Sequence, residues 1–311
     1  MSFVLVNDIQ KSYNRKPAVS GVSFSIKPGE TFGLLGPNGA GKTTTISMLA
    51  TLLKPDSGDI LVGDNSVVTN PKGVKKLLGY VPQDIALYTS LSAEENLKFW
   101  GRMYGLKGDK LQERTKKVLE LVGLTERAKD KVDSYSGGMK RRINIAVGLL
   151  HEPKLLLMDE PTVGVDPQSR NKILETVKDL SKQGMTIIYT SHYMEEVEFL
   201  CDKVAIMDSG RIKGMGTVQE LKELVGNKDL IKMDVSKEVT ENEKNSLYEL
   251  FNSSLEVKEQ EISILVENGA KEMTNILGKI SNLGLEITSV DIQKPNLEKV
   301  FLHLTGKSLR D

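Results

Sequence analysis

A glycine-rich segment near the start of the chain has the residue types and spacing that phosphate binding requires. It matches the pattern G-x-x-x-x-G-K-[ST] and comprises, in order, Gly36, Pro37, Asn38, Gly39, Ala40, Gly41, Lys42 and Thr43. Glycines let successive backbone N–H groups turn toward phosphate oxygens, and a following helix adds the positive end of its dipole. The pattern predicts that Lys42 contacts the β and γ phosphates of ATP. It also predicts that the Thr43 hydroxyl binds Mg²⁺ and that Thr44 donates to a more distal phosphate oxygen.

Two carboxylates follow a second apolar segment. Residues Leu155–Met158 have the composition of a buried strand, and Asp159 and Glu160 come directly after it. Parallel sheets place ligand-facing groups at the carboxyl ends of their strands. We therefore expect Asp159 to hold Mg²⁺, directly or through water, and Glu160 to act as the base or to orient the water that attacks the γ phosphate. The alternative is a solvated acidic pair in a loop.

A third motif opens a helix. Ser136, Gly137 and Gly138 precede apolar residues at helical spacing up to Leu150. A hydroxyl and bare backbone amides at a helix N-terminus form an anion site. By itself the motif is also typical of an ordinary helix cap, so its neighbours along the chain decide its meaning.

These motifs occur in the order found in ABC-type ATPases, which the chain resembles over about residues 1–225. The resemblance is carried by the segments already described together with Gln83, the run Gly164-Val165-Asp166, and His192. It implies a P-loop ABC ATPase sandwich that works in pairs. Two nucleotide domains lie head to tail, and each ATP is held between one phosphate loop and the Ser-Gly-Gly helix of the other domain.

The resemblance also implies roles for four single residues. Tyr13 resembles the aromatic residue that stacks on adenine, and Gln83 resembles the glutamine that links Mg²⁺ and the attacking water to a membrane partner. Asp166 resembles the aspartate that reaches across the dimer, and His192 the switch histidine that contacts the γ phosphate. Taken alone, Tyr13 is more typical of a sheet-packing residue, Gln83 of a solvated turn amide and Asp166 of a turn or cap aspartate.

A narrower resemblance concerns the transporter type. The chain has Tyr-Ser-Gly-Gly-Met at residues 135–139 where Leu-Ser-Gly-Gly-Gln is commonest, and Val165 where leucine is usual. With the ending at residues 296–306, this form is similar to ATP-binding subunits of drug and antibiotic exporters of the daunorubicin-resistance type. The alternative for residues 296–306 is an amphipathic helix that only packs the small domain.

The elements that must position these residues follow from apolar spacing. The pattern predicts a mixed-sheet α/β core with an antiparallel edge sheet over residues 3–26 and a helical insert over about residues 88–150. The strands and helix expected to carry the motifs are Thr31–Leu35, Thr43–Leu53, Lys154–Met158 and Thr186–Tyr189.

Composition changes near residue 228, which predicts a second, accessory domain over residues 228–311. Its elements follow the order βαββαβ, typical of a ferredoxin-like α+β sandwich. A last helix, Leu297–Leu304, is expected after the stop and cap pair Pro295-Asn296.

Composition also bears on the partners and the compartment. The 42 basic residues balance the 42 acidic ones, which gives no reason to expect nucleic acid as a partner. A single cysteine, Cys201, and the absence of a signal-like start favour the cytosol, and no apolar run approaches the roughly 20 residues that span a bilayer. We therefore expect a cytoplasmic ATPase, a homodimer in its simplest form, bound under separately encoded membrane subunits on the inner face of the membrane.

The sequence leaves two alternative functions. The first is a soluble ABC-type switch protein acting in translation or DNA repair, which the single nucleotide domain and the lack of sustained heptads disfavour. The second is a P-loop kinase for a small molecule, which leaves Ser136, Gly137, Gly138 and His192 without a role.

Overall fold

A computed structural model describes residues 2–225, 229–251, 255–293 and 296–306. The chain divides into two compact units, one up to Ile212 and one from Lys213 onward. This division lies earlier than the change in composition near residue 228, and the domain ranges 1–225 and 228–311 stay a prediction. We describe each unit by itself.

A central, mainly parallel sheet forms the frame of the first unit. Its strand order is β10-β9-β3-β8-β7-β6, and the register pairs β9, β3, β8, β7 and β6 in parallel. The strands are β3 (Thr31–Leu35), β6 (Leu78–Val81), β7 (Leu155–Asp159), β8 (Thr186–Ser191), β9 (Lys203–Asp208) and β10 (Arg211–Thr217), and the boundary between the two units falls within β10. Every residue of β3, β7 and β8 is buried, as expected for parallel strands covered on both faces.

An antiparallel sheet packs beside the parallel one and confirms the predicted edge sheet. Its order is β2-β1-β4-β5, with β1 (Val4–Tyr13), β2 (Lys16–Ile26), β4 (Ser57–Val62) and β5 (Asn65–Ser66). Phe24 of β2 stacks on Phe32 of β3 with ring centres 4.7 Å apart, within the core shared by the two sheets.

The helix after the phosphate loop is shorter than predicted. Helix α1 spans Lys42–Leu49 and does not continue to Leu53. Thr51 adopts a left-handed backbone with φ of 58°, and the N–H groups of Leu52 and Leu53 return to the Ser47 carbonyl. This turn closes the helix, because a left-handed residue cannot continue a right-handed one.

The segment between β6 and β7 is helical. Helix α3 is fixed at its start by a capping box between Ser92 and Glu95. Two short 3₁₀ turns, Thr125–Arg127 and Val132–Ser134, separate the later helices. The helices of the first unit after α1 are α2 (Pro71–Leu77), α3 (Ala93–Met103), α4 (Gly108–Leu121), α5 (Gly137–Leu149), α6 (Pro167–Lys182) and α7 (Met194–Leu200).

The second unit has the predicted βαββαβ order after a short helix. Its antiparallel sheet has the order β12-β13-β11-β14. Asn296 caps the last helix as predicted, whereas Pro295 lies outside the described residues. The elements are α8 (Val218–Glu223), β11 (Asp229–Val235), α9 (Glu241–Phe251), β12 (Leu255–Lys258), β13 (Glu261–Val266), α10 (Gly269–Asn282), β14 (Ile287–Gln293) and α11 (Leu297–Thr305).

The second unit has its own apolar core. Ile231 and Ile264 on one sheet face pack with Leu247 of α9 and Ile276 of α10.

None of the helices in the described ranges is long and apolar enough to cross a membrane.

We predict that Ile231→Ala destabilises the second unit by about 2–5 kcal/mol, because it leaves a cavity at a fully buried position. ATP affinity should stay unchanged, since the residues of the nucleotide site lie in the first unit. Thermal unfolding and equilibrium nucleotide binding measure the two effects. Val290→Ala, at an exposed position of the same sheet, is the control and should change stability by under about 0.5 kcal/mol. Weakened ATP binding by folded Ile231→Ala protein would contradict the separation.

Candidate functional site

The phosphate loop needs glycine where it passes neighbouring strands. A Cβ atom at Gly36 would lie 2.4 Å from the Met207 carbonyl oxygen, and one at Gly41 would lie 2.5 Å from that of Ala18. Gly41 also has a φ of 101° and is the N-cap of α1. These contacts fix the loop between β3 and α1, with the backbone amides at the start of α1 at its mouth.

Lys42 is the first residue of α1, and its side chain is almost completely buried. Its Nζ donates to the carbonyl oxygens of Gly36 at 2.7 Å and Pro37 at 3.0 Å. The same ammonium lies 3.0 Å from Glu160 Oε1. The lysine therefore joins the phosphate loop to the carboxyl end of β7.

Asp159 ends β7 beside the loop. Its Oδ1 accepts a hydrogen bond from Thr190 Oγ1 at 2.8 Å and lies 3.5 Å from Thr43 Oγ1. Burial raises the pKa of this carboxyl, and the neighbouring Glu160 carboxylate raises it further. A cation at this position would favour the ionised carboxylate, so the hydroxyl and carboxylate form a pair of oxygen ligands suited to Mg²⁺.

Three of the predicted side chains, those of Lys42, Gln83 and His192, lie around the Glu160 carboxylate. Gln83 Nε2 lies 3.5 Å from Glu160 Oε2, and His192 Nδ1 lies 3.4 Å from the same oxygen. The Glu160 backbone is left-handed, with φ of 45°, and its N–H donates to Thr190 Oγ1 at 2.9 Å. The carboxylate is thus surrounded by an ammonium, an amide and an imidazole.

His192 follows β8 in the turn before α7. Its Nδ1 is buried and makes no hydrogen bond within the described residues, although Glu160 is close. Its ring lies against that of Tyr193, with centres 4.2 Å apart. An imidazole nitrogen in this setting is available to a group that enters between it and Glu160.

Ser136 is the N-cap of α5 and Asp166 is the N-cap of α6. Ser136 Oγ accepts the Met139 N–H at 3.3 Å, and Asp166 Oδ1 accepts the Ser169 N–H at 2.9 Å. The latter bond lowers the pKa of Asp166. The two caps are neighbours, because a Cβ at Gly138 would lie 2.1 Å from the Ser169 side chain. Glycine is therefore required where α5 meets α6.

Two other predicted residues have clear positions. Tyr13 ends β1 at an exposed position opposite Lys16, where its ring is free to meet a flat ligand. Tyr135, which replaces the commoner leucine before Ser136, is buried, and its hydroxyl donates to the Arg127 carbonyl. The tyrosine side chain is thus packed within the helical segment, while Ser136 still caps α5.

Thr190 is a site residue that sequence reasoning missed. Its hydroxyl bonds both the Asp159 carboxylate and the Glu160 N–H, and it is fully buried. Strand register places it directly beside Asp159. The sequence signal that could have identified Thr190 is its position as a hydroxyl residue near the end of the strand that precedes His192.

Comparison with known proteins agrees with this geometry. Residues 19–163 match the ABC transporter family. The linearmycin resistance ATP-binding protein LnrL of Bacillus subtilis is 51% identical over 306 residues, which cover 98% of each chain. The daunorubicin resistance ATP-binding protein DrrA3 of Streptomyces coeruleorubidus is 34% identical over 307 residues, covering 99% of this chain and 97% of the relative. The resemblance to ATP-binding subunits of the drug-resistance type is confirmed.

Two solved structures of ATP-binding cassettes have a fold similar to that of this chain. CbiO1 from Clostridium perfringens, part of the ABC transporter complex cbiONQ, aligns with a TM-score of 0.66 at 31% identity and covers 72% of this chain and 93% of that chain. A dimeric ATP-binding cassette, MJ0796, bound to ADP and Pi aligns with a TM-score of 0.63 at 24% identity, covers 69% of this chain and 98% of that chain, and shares the fold. The chain therefore belongs to the ABC transporter family as an ATP-binding subunit that hydrolyses ATP.

Proposed function

We propose that the chain is the MgATP-driven motor of a drug or antibiotic exporter, with Glu160 as the group that activates the attacking water. The observation that carries this proposal is the convergence of Lys42, Gln83 and His192 on the Glu160 carboxylate beside the phosphate loop. Each of these groups has a separate task in phosphoryl transfer, which depends on positioning and charge stabilisation.

Mg²⁺ fits the residues at the end of β7. Thr43 and Asp159 supply hard oxygen ligands and Gln83 supplies an amide oxygen, while the phosphates of ATP supply the remainder. No cluster of three or more His, Cys, Asp or Glu side chains suited to a metal occurs in the part of the chain that the structure describes. When bound, Mg²⁺ neutralises charge on the β and γ phosphates.

The protein groups then divide the reaction among themselves. Lys42 and the loop amides hold the phosphates, with Thr44 at a more distal oxygen and the Tyr13 ring against adenine. Glu160 takes a proton from the attacking water or orients it, and Gln83 holds that water from the other side. His192 stabilises the negative charge that develops on the γ phosphate.

We infer that two copies of the chain complete each site. Ser136 and Gly137 are exposed at the start of α5, Gly138 behind them is buried, and the first turn has no acidic residue, which suits a phosphate from outside the chain. Asp166 caps the neighbouring helix α6 and is exposed, so it can reach a second chain. A homodimer with two working sites follows, because every catalytic group is present in one chain.

We also propose separately encoded membrane subunits as partners, which places the chain at the inner face of the cell membrane in the cytoplasm. The segment after Gln83 is anchored to the helices, since Asn96 exchanges two hydrogen bonds with Tyr88 and Arg141 donates to the Pro82 carbonyl. The exposed Tyr88 ring packs against Phe99, which offers an apolar contact surface next to Gln83. A soluble switch without a membrane partner leaves this surface without a role.

The exported molecule is proposed from the relatives. Proteins similar to this chain along nearly its whole length are named for resistance to linearmycin, doxorubicin and daunorubicin. We propose a cargo of the same broad class, a drug or antibiotic. Residues 228–311 contribute no proposed catalytic group and are assigned an accessory role in assembly or regulation.

Lys42→Ala should weaken ATP binding about 10- to 100-fold, because charged hydrogen bonds to ground-state phosphates are lost. Glu160→Gln should keep ATP affinity and lower kcat about 10²- to 10⁴-fold, because only water activation is lost. Equilibrium binding and steady-state hydrolysis distinguish the two. Lys98→Ala, which removes a lysine paired with Glu94 at the surface, is the control. Near-normal turnover by Glu160→Gln would remove Glu160 from its role.

Thr190→Val should raise the Mg²⁺ concentration needed for half-maximal hydrolysis about 10-fold or more. The valine takes away a hydrogen bond that orients the Asp159 carboxylate and leaves the Glu160 N–H without its acceptor. Thr190→Ser keeps the hydroxyl and should stay near wild type. An Mg²⁺ requirement that is equal in all three proteins would show that Asp159 does not hold the cation.

Mixed dimers test the shared site. Lys42→Ala chains and Ser136→Arg chains should each be inactive alone, yet activity should return on mixing, since one site of the heterodimer then carries neither lesion. The control mixes Lys42→Ala with the Lys42→Ala/Ser136→Arg double variant, which leaves no intact site. Failure to recover activity when heterodimers are shown to form would argue for a site within one chain.

A further inference from the structure

A buried carboxylate in the first unit has no part in the site described above. Glu196 of α7 is fully buried and accepts hydrogen bonds from Tyr189 OH at 2.8 Å and Ser191 Oγ at 2.9 Å. Its other oxygen accepts a hydrogen bond from Arg170 Nε at 2.7 Å. Glutamate is almost never fully buried unless it is paired, so Arg170 on α6 holds α7 in place through this contact.

The same arginine also reaches the turn that carries His192. Its guanidinium carbon lies 4.7 Å from the centre of the Tyr193 ring, a cation–π distance. Tyr193 in turn packs against the His192 ring, whose Nδ1 lies 3.4 Å from Glu160. The exposed Glu195 carboxylate lies 3.6 Å from the guanidinium and completes its surroundings. A continuous set of contacts thus joins Arg170 to Glu160.

The other end of this set of contacts is the start of α6. Asp166 caps that helix, and Arg170 lies one turn later. Ser169, between them, fills the space beside Gly138 at the start of α5. The first turn of α6 therefore touches both the Ser-Gly-Gly end of α5 and the turn that contains His192.

We propose that Arg170 is a positioning residue that fixes the His192 turn relative to the first turn of α6. It acts through Tyr193 and Glu196 and contacts neither nucleotide nor metal. This inference rests on the proposed roles of His192 and Glu160. Because α6 begins at Asp166, any displacement of that helix end by a second chain changes the orientation of the imidazole. Hydrolysis is thereby tied to the contact between the two chains.

The first test separates turnover from binding. Arg170→Met and Tyr193→Ala should each lower kcat about 10-fold, in the range of measured couplings between sites, while the Kd for ATP changes less than about twofold. Tyr193→Phe keeps the ring and should stay near wild type. Because Arg170 acts on His192 through Tyr193, the two substitutions disrupt the same set of contacts. The kcat of the Arg170→Met/Tyr193→Ala double variant should therefore lie within about twofold of the kcat of either single variant. Effects on kcat that multiply would overturn the proposal.

The second test separates positioning from stability. Arg170→Met leaves the Glu196 charge buried and should lower Tm, whereas Arg170→Met/Glu196→Gln removes both charges and should recover Tm. The slow turnover should persist in the double variant. Recovery of both Tm and kcat would mean that the pair is only structural. Lys172→Met removes an exposed pair with Glu175 on the same helix and serves as the control for both measurements.

The third test observes the imidazole directly. The chain has three histidines, so NMR of histidine-labelled full-length protein gives three ring signals, and His192→Ala identifies the relevant one. Arg170→Met should shift the His192 signal and leave those of His151 and His303 in place, while Lys172→Met should shift none. An unmoved His192 signal would refute the proposal. Normal turnover by Glu160→Gln would instead refute the proposed base and leave this readout intact.

Discussion

The ion pair between Lys42 and Glu160 brings together the start of α1 and the residue after β7, and both side chains are almost completely buried. Taking two charges out of water costs several kcal/mol per ion. The attraction between the two charges offsets this cost only when they lie close together and their remaining donors and acceptors also form hydrogen bonds. The carbonyls of Gly36 and Pro37 satisfy Lys42. The pair therefore depends on a loop shape that only glycine permits and on parallel strands that end at the same edge of the sheet.

The backbone at Glu160 solves a geometric problem at that edge. Consecutive residues of an extended strand point to opposite faces, so Asp159 and Glu160 in a regular strand could not both face the phosphate loop. The left-handed conformation of Glu160 turns its side chain toward Lys42, at a cost of about 1–3 kcal/mol. The bond from its N–H to Thr190 holds this conformation. One threonine therefore fixes both carboxylates.

Features that depend on residues close together in the sequence were predicted correctly. The bounds of β3 agree with the predicted Thr31–Leu35, the βαββαβ order of the second unit follows from its sequence pattern, and the phosphate loop follows from its glycines and lysine. The end of α1 was missed because it depends on the left-handed Thr51, for which threonine gives no warning.

Contacts that depend on strand register or helix packing were also missed. Thr190 acquires its role from lying beside Asp159, and Arg170 acquires its partner from the packing of α6 on α7. Neither relation has a fixed spacing along the chain. The roles of Ser136 and Asp166 stay predictions for a different reason, because their expected partner is a second chain.

The helix caps at Ser136 and Asp166 use only part of the hydrogen-bonding capacity of these side chains. Ser136 accepts the Met139 N–H through an oxygen lone pair, and its own hydroxyl hydrogen can still donate. Asp166 accepts the Ser169 N–H with Oδ1, which leaves lone pairs on the carboxylate. Two chains that meet at these ends need not unwind a helix first. In the dimer that we propose, association would then be limited by diffusion and mutual orientation rather than by a local refolding step.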